Sequence, residues 1–186
     1  MTLTATVPAL KEWSAAVRAL LDGRQRVLLR KGGIGEKRFE VAANEFLLFP
    51  TVAHSHAERV RPEHRELLVP AAADCTDDHL VVRASAKVVA AIPVNRPEAL
   101  EAIADLHIWT AESVREDRLD FRPKHKLAVL VVSATPLLEP VRVTRAPEYG
   151  GCKSWVELPL RPALGAPVHD EAVLAGLAAR VRRAVG

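Results

Sequence analysis

Four groups of residues in this sequence have the types and spacing to do chemistry. In Arg30-Lys31-Gly32-Gly33-Ile34-Gly35, a glycine-rich turn follows two cations. Backbone N–H groups in such a turn, raised in potential by flanking positive charge, suit a phosphate or a carboxylate. The run lacks the Gly-Lys-Ser/Thr ending of a nucleoside triphosphate loop and the glycine spacing of a dinucleotide fingerprint, so a plain hairpin turn with solvated charges is the competing reading.

His54 and His56 stand two residues apart and would project to one side of an extended chain, with His64 and Glu45, Glu58 or Glu66 as further ligands. A three-ligand site of that kind would activate water for hydrolysis; surface histidines in a loop are the alternative. Around His107-Ile-Trp109-Thr110, the cations Arg115, Arg118, Arg122 and Lys124 follow an aromatic. Trp109 could stack a base while guanidinium groups hold phosphates, or it could be a core tryptophan beside a solvated helix whose Glu116, Asp117 and Asp120 dilute the field. Tyr149 to Trp155 is another polar and aromatic cluster, with Lys153 and Trp155 as candidate contacts and Cys152 read as a buried, inert thiol. Serine nucleophile elbows, His-Glu-x-x-His and kinase signatures are absent.

Elements must position these groups. Residues 8–21 carry a helical stripe of Leu10, Trp13, Val17, Leu20 and Leu21, with Pro8 in the first turn and Gly23 at the stop. Short strands are expected at 26–30 and 45–49, the second ended by Pro50. Pro62 opens a short helix, and 74–78 is a polar break. A long strand spans 79–94, where Arg83, Ser85 and Lys87 alternate with apolar residues. Helices begin at Pro97 and, capped by Thr110, at 111. Residues 127–134 form an apolar, two-sided strand broken by Pro136 to Pro140. A last strand follows Gly150-Gly151, and a terminal amphipathic helix covers 170–185. Strands outnumber helices, and the helices bunch at the N-terminus, middle and C-terminus. That order favours an α+β fold with a mixed or antiparallel, barrel-like sheet.

The 186 residues predict a single domain, 1–186, with the terminal helix packing on its core. With 49% hydrophobic and 26% charged residues the chain is ordinary for a folded protein, and its apolar runs are too short for a membrane helix. A soluble, cytoplasmic protein with no membrane partner is expected. Cys75 and Cys152 lie too far apart for a Cys-x-x-Cys pair and read as reduced thiols. The net charge of +3 and pI near 9.1 permit nucleic-acid or phosphate partners without demanding them.

Ala9-Leu-Lys-Glu-Trp13, Leu28-Leu-Arg-Lys-Gly-Gly-Ile34, Phe46-Leu-Leu-Phe-Pro-Thr51 with His54, His107-Ile-Trp-Thr110 and Tyr149-Gly-Gly-Cys-Lys-Ser-Trp155 together resemble the bacterial family called domain of unknown function 1802. That resemblance covers nearly the whole chain and implies no activity. The glycine and arginine of Gly23-Arg-Gln25-Arg-Val-Leu28-Leu-Arg30 are more distantly similar to the Gly-x-Lys-x-x-Glu-x-Arg run of ASCH domains, members of the PUA-like β-barrel group. Gln25 and Leu28 replace the lysine and the glutamate, so this second resemblance implies a fold and a binding cleft, not catalysis. The expected function is binding of RNA, single-stranded DNA or a nucleotide-like anion, without a cofactor. The cleft would use Arg30, Lys31, Gly32, Gly33, His54, Trp109, Arg118, Lys153 and Trp155. A metal-dependent hydrolase or nuclease using His54 and His56, and a non-catalytic interaction module, are the alternatives.

Overall fold

The computed structural model describes residues 5–31 and 40–186. Six strands, β1 (Val7–Trp13), β2 (Val27–Lys31), β3 (Glu45–Thr51), β4 (His79–Pro93), β5 (Leu127–Thr144) and β6 (Trp155–Leu158), form one sheet in the order β2-β5-β4-β3-β1-β6. All neighbours run antiparallel except β1 and β3, which are parallel. The expected α+β class and mixed sheet are present. Strand pairing among the described residues leaves β2 and β6 at the two ends of the sheet, so it does not close a barrel.

The N-terminal segment corrects the sequence reading. Residues 7–13 are a strand, and only Ser14–Leu21 (α1) is helical. Pairing decides this. Ala9 to Trp13 lie against Leu47 to Thr51 of β3, and Val7 to Leu10 against β6. Pro8 falls outside the β3 ladder, where its missing N–H is not needed. Ala9 and Leu10 are both fully buried but in different apolar clusters, because successive strand residues face opposite sides. Two buried sides imitated one helical stripe.

The prolines expected to end strands do not. Pro50 is paired with Glu12 inside β3, and β5 continues past Pro136 and Pro140 to Thr144. Opposite Arg83 the ladder jumps from Val82–Val141 to Ala84–Pro136, so Pro140 sits in an irregularity where no ladder donor is required.

The helices are α1, the single turn α2 (His56–Arg59), α3 (Leu68–Ala73), α4 (Ala111–Val114) and α5 (Glu171–Val185), with 3₁₀ segments at Pro62–Leu67 and Pro97–Leu106 and a π turn at Arg115–Asp120. Helix α5 sends Leu174, Ala178, Val181 and Val185 into a cluster shared with Ala15, Val27, Val129 and Ile103. A second cluster draws Leu10, Leu28, Phe46, Ala86 and Leu130 from five different strands. No described helix is long and apolar enough to cross a membrane.

One contact reveals how the sheet is bent. Arg30 on β2 donates from Nη1 to the carbonyl of Lys11 on β1, 3.0 Å away, although β1 is four strands along the sheet. In a flat sheet that separation is about 19 Å, beyond an arginine side chain. The sheet therefore curls until the β2 edge faces β1.

Candidate anion site

The curl assembles a site at the C-terminal end of β1. There Leu10 and Glu12 alternate onto one face, and Glu12 is buried, 3% exposed. Its Oε1 accepts the Trp13 amide at 2.9 Å, and its carbonyl accepts the Thr51 hydroxyl at 3.2 Å. Arg30 Nη1 stands 3.4 Å from Glu12 Oε2, a long contact for a charged pair.

The far wall comes from the segment after Thr110. The Thr110 hydroxyl oxygen accepts the Ser113 amide at 3.1 Å and caps α4, as expected. The chain then widens into the π turn, a distortion of the kind often found at functional sites, and ends with Arg122 in the left-handed region at φ 51°. Lys31 fastens this turn to β2 by donating to the carbonyls of Arg118, at 2.8 Å, and Phe121. Burial, with help from Arg118, lowers the Lys31 pKa. Lys31 thus serves chiefly as a tether.

Arg118 lies within electrostatic reach of Glu12, Arg30, Asp117 and Arg59, and its guanidinium has no hydrogen-bond partner among the described residues. Burial lowers its pKa from the usual arginine value; Glu12 and Asp117 oppose that shift, and Arg30 and Arg59 reinforce it. Arg118 is half-buried and stands beside two further arginines, a position that an anion would favour. Arg59 donates to Asp117 at 2.5 Å and lies 5.2 Å from the centre of the Trp13 ring. A crevice of about 10 Å³ separates Trp13, Arg59, Trp109, Asp117 and Arg118.

Three rings back this cluster. Trp13 lies 4.9 Å from His56 and 6.0 Å from Trp109, centre to centre. His56 is buried, and its Nε2 has no hydrogen-bond partner among the described residues. Burial, and after it Arg59, pushes its pKa down to about 4, so the ring is neutral near pH 7.

Of the residues expected to line a cleft, the structure brings Arg30, Lys31, Arg118 and Trp109 together. Gly32 and Gly33 lie outside the described residues. Lys153 and Trp155 line a different cavity, of about 320 Å³, with Tyr149 and Glu157. Trp155 packs edge-on to Phe46 at 5.1 Å and donates from Nε1 to the Glu40 carbonyl. Cys152 is exposed, against the expected buried thiol, and both cysteines are free. His54 is exposed while His56 points into the aromatic core, because the chain turns between them, the His56 amide donating to the Ala53 carbonyl at 3.1 Å. The two imidazoles therefore do not share a side, and no three His, Cys, Asp or Glu residues converge on a metal position among the described residues.

A comparison with protein-family models matches the one described as Domain of unknown function (DUF1802) over residues 9–180. The chain belongs to that family. No curated protein and no solved structure matches it. The DUF1802 match spans β1 through most of α5, so it includes both walls of the site.

Glu12, Trp13, Arg59 and Asp117 were not read as site residues from the sequence. Their signal exists once 7–13 is read as a strand: a glutamate then occupies an inward position two residues after a core leucine, which demands a cationic partner.

Proposed function

We propose that this DUF1802 protein binds a nucleic acid or nucleotide-like anion, with a phosphate or equivalent group seated between Arg30, Arg59 and Arg118. The observation that carries this reading is the half-buried Arg118 guanidinium, which has no acceptor among the described residues and stands beside two further arginines. Trp13 and Trp109 supply an aromatic wall next to it, the combination that single-stranded nucleic acids use. The curl that carries Arg30 across to Lys11 and Glu12 also supports a barrel-like, PUA-like architecture, in which the site is the cleft at the barrel mouth. A cytoplasmic location accords with such a ligand.

The test is binding of short single-stranded RNA, single-stranded DNA and mononucleotides as salt is varied. Binding that weakens with rising salt and falls about tenfold in Arg118→Gln is expected. Failure of all three ligands at low salt overturns the proposal.

A further inference from the structure

A second cavity lies on the other side of Trp109. It holds about 520 Å³, within the range of small-molecule sites, between the Pro97–Leu106 segment, α4 and the π turn. Its apolar wall is Leu100, Trp109, Val114 and Leu119.

Its charges differ from those of the arginine cluster. The lining has four carboxylates, Glu63, Glu98, Glu101 and Asp105, against two cations, Arg61 and Arg115. Glu63 pairs with Arg61 at 3.0 Å, and Asp105 takes Arg180 on both oxygens. Glu98 and Glu101 make no ion pair among the described residues. They are three apart ahead of the kink at Ile103, so on a 3₁₀ turn they stand over one another on one face. An anion is disfavoured here, and donors are wanted.

His107 supplies a second, independent constraint. It is 3% exposed and lines the same cavity. The Trp109 amide donates to its Nδ1 at 3.1 Å, so in the neutral ring Nε2 carries the hydrogen. Burial, and after it Arg61, keeps the ring neutral by lowering its pKa to about 4. That Nε2–H has no hydrogen-bond partner among the described residues. As part of the cavity lining, it is a donor available to an occupant.

The geometry points to a nucleobase carrying an exocyclic amine as the occupant of this cavity. A ring nitrogen or carbonyl would accept from His107 Nε2–H, the amine would donate to Glu98 or Glu101, and the flat apolar face would lie against Trp109. Carboxylates accept from exocyclic base amines in just this way, and an aliphatic amine would leave the His107 donor unmet. Arg115, the lining cation without an ion-pair partner among the described residues, remains for the phosphate side. The identity of the ring rests on the nucleotide reading above; the donor and acceptor pattern belongs to the cavity itself.

The experiment is calorimetric titration with adenosine, cytidine and uridine, which carry no phosphate, alongside an abasic oligonucleotide, which carries no base. Adenosine or cytidine is expected to bind at least about tenfold more tightly than uridine. The double variant Glu98→Gln, Glu101→Gln, exposed and outside the core, is expected to lose that preference with unchanged thermal stability; His107→Phe would weaken every nucleoside. Equal binding of uridine, no nucleoside binding, or a preference that survives the double variant overturns the inference. Salt-dependent binding of the abasic oligonucleotide that fails in Arg118→Gln reports on the arginine cluster separately, so loss of one arm leaves the other standing.

Discussion

Asp74 and Glu12 are both buried carboxylates with two arginines nearby, and their surroundings differ in one respect. Asp74 is saturated: Arg18 donates from Nε at 2.6 Å and Nη2 at 2.9 Å, and Arg83 donates from Nε at 2.8 Å. Every guanidinium there has an acceptor. At Glu12 the ion-pair contact with Arg30 is long, 3.4 Å, and Arg118 has no hydrogen bond among the described residues. The first network joins α1, the end of α3 and β4, and is closed. The second sets the guanidinium groups of Arg30, Arg59 and Arg118 against the carboxylates of Glu12 and Asp117, a surplus of positive charge that suits an anion.

The comparison can be broken or sharpened by substitution. The largest effect is expected for Asp74→Ala, which strands two partly buried guanidinium groups; about 3 kcal/mol of stability should be lost in urea unfolding, with ligand binding intact in the folded fraction. Acid should act next. His56 and His107 have pKa values lowered to about 4 when folded and near 6.5 when unfolded, so the unfolded state binds more protons between those limits. Stability should therefore hold above pH 6.5 and fall as pH drops toward 4. A stability curve flat across that window would contradict the burial of both rings.

Removing charge at the open site should behave differently from Asp74→Ala. Glu12→Gln is expected to lower stability by about 1–2 kcal/mol yet strengthen phosphate binding, because it removes a carboxylate that faces both Arg30 and Arg118. Weaker phosphate binding in that variant would show the network to be as closed as that of Asp74. The smallest effect is expected for Thr110→Ala, which loses the α4 cap: about 1 kcal/mol by thermal unfolding, with anion affinity reduced since α4 leads directly into the turn that presents Arg118. Asp74 should not sense that change.

Much of the fold is legible residue by residue. Alternation over 79–93, the apolar run from Leu127, the proline at the start of 62–67 and 97–106, the Thr110 cap and the α5 stripe each correspond to an element found there. Local chemistry decides those. The errors fall where pairing overrides local preference: 7–13, where burial on both sides of a strand mimics a helix, and Pro50, Pro136 and Pro140, where the strands run on because the first two are held in register with Glu12 and Ala84 and the third falls in a bulge. At the site, Arg30, Arg118 and Trp109 were visible as residue types, whereas Glu12 lay within a stretch read as helix.

By itself the sequence determined the α+β class, most element positions and the presence of basic and aromatic groups capable of meeting an anion. Which of those groups meet was decided by the tertiary structure alone. Arg30 and Lys11 are 19 residues apart and four strands apart, and Lys31 meets the Arg118 carbonyl across 87 residues. Contacts of that range depend on how far the sheet curls and where the π turn docks, and both follow from packing summed over many residues, not from any local spacing.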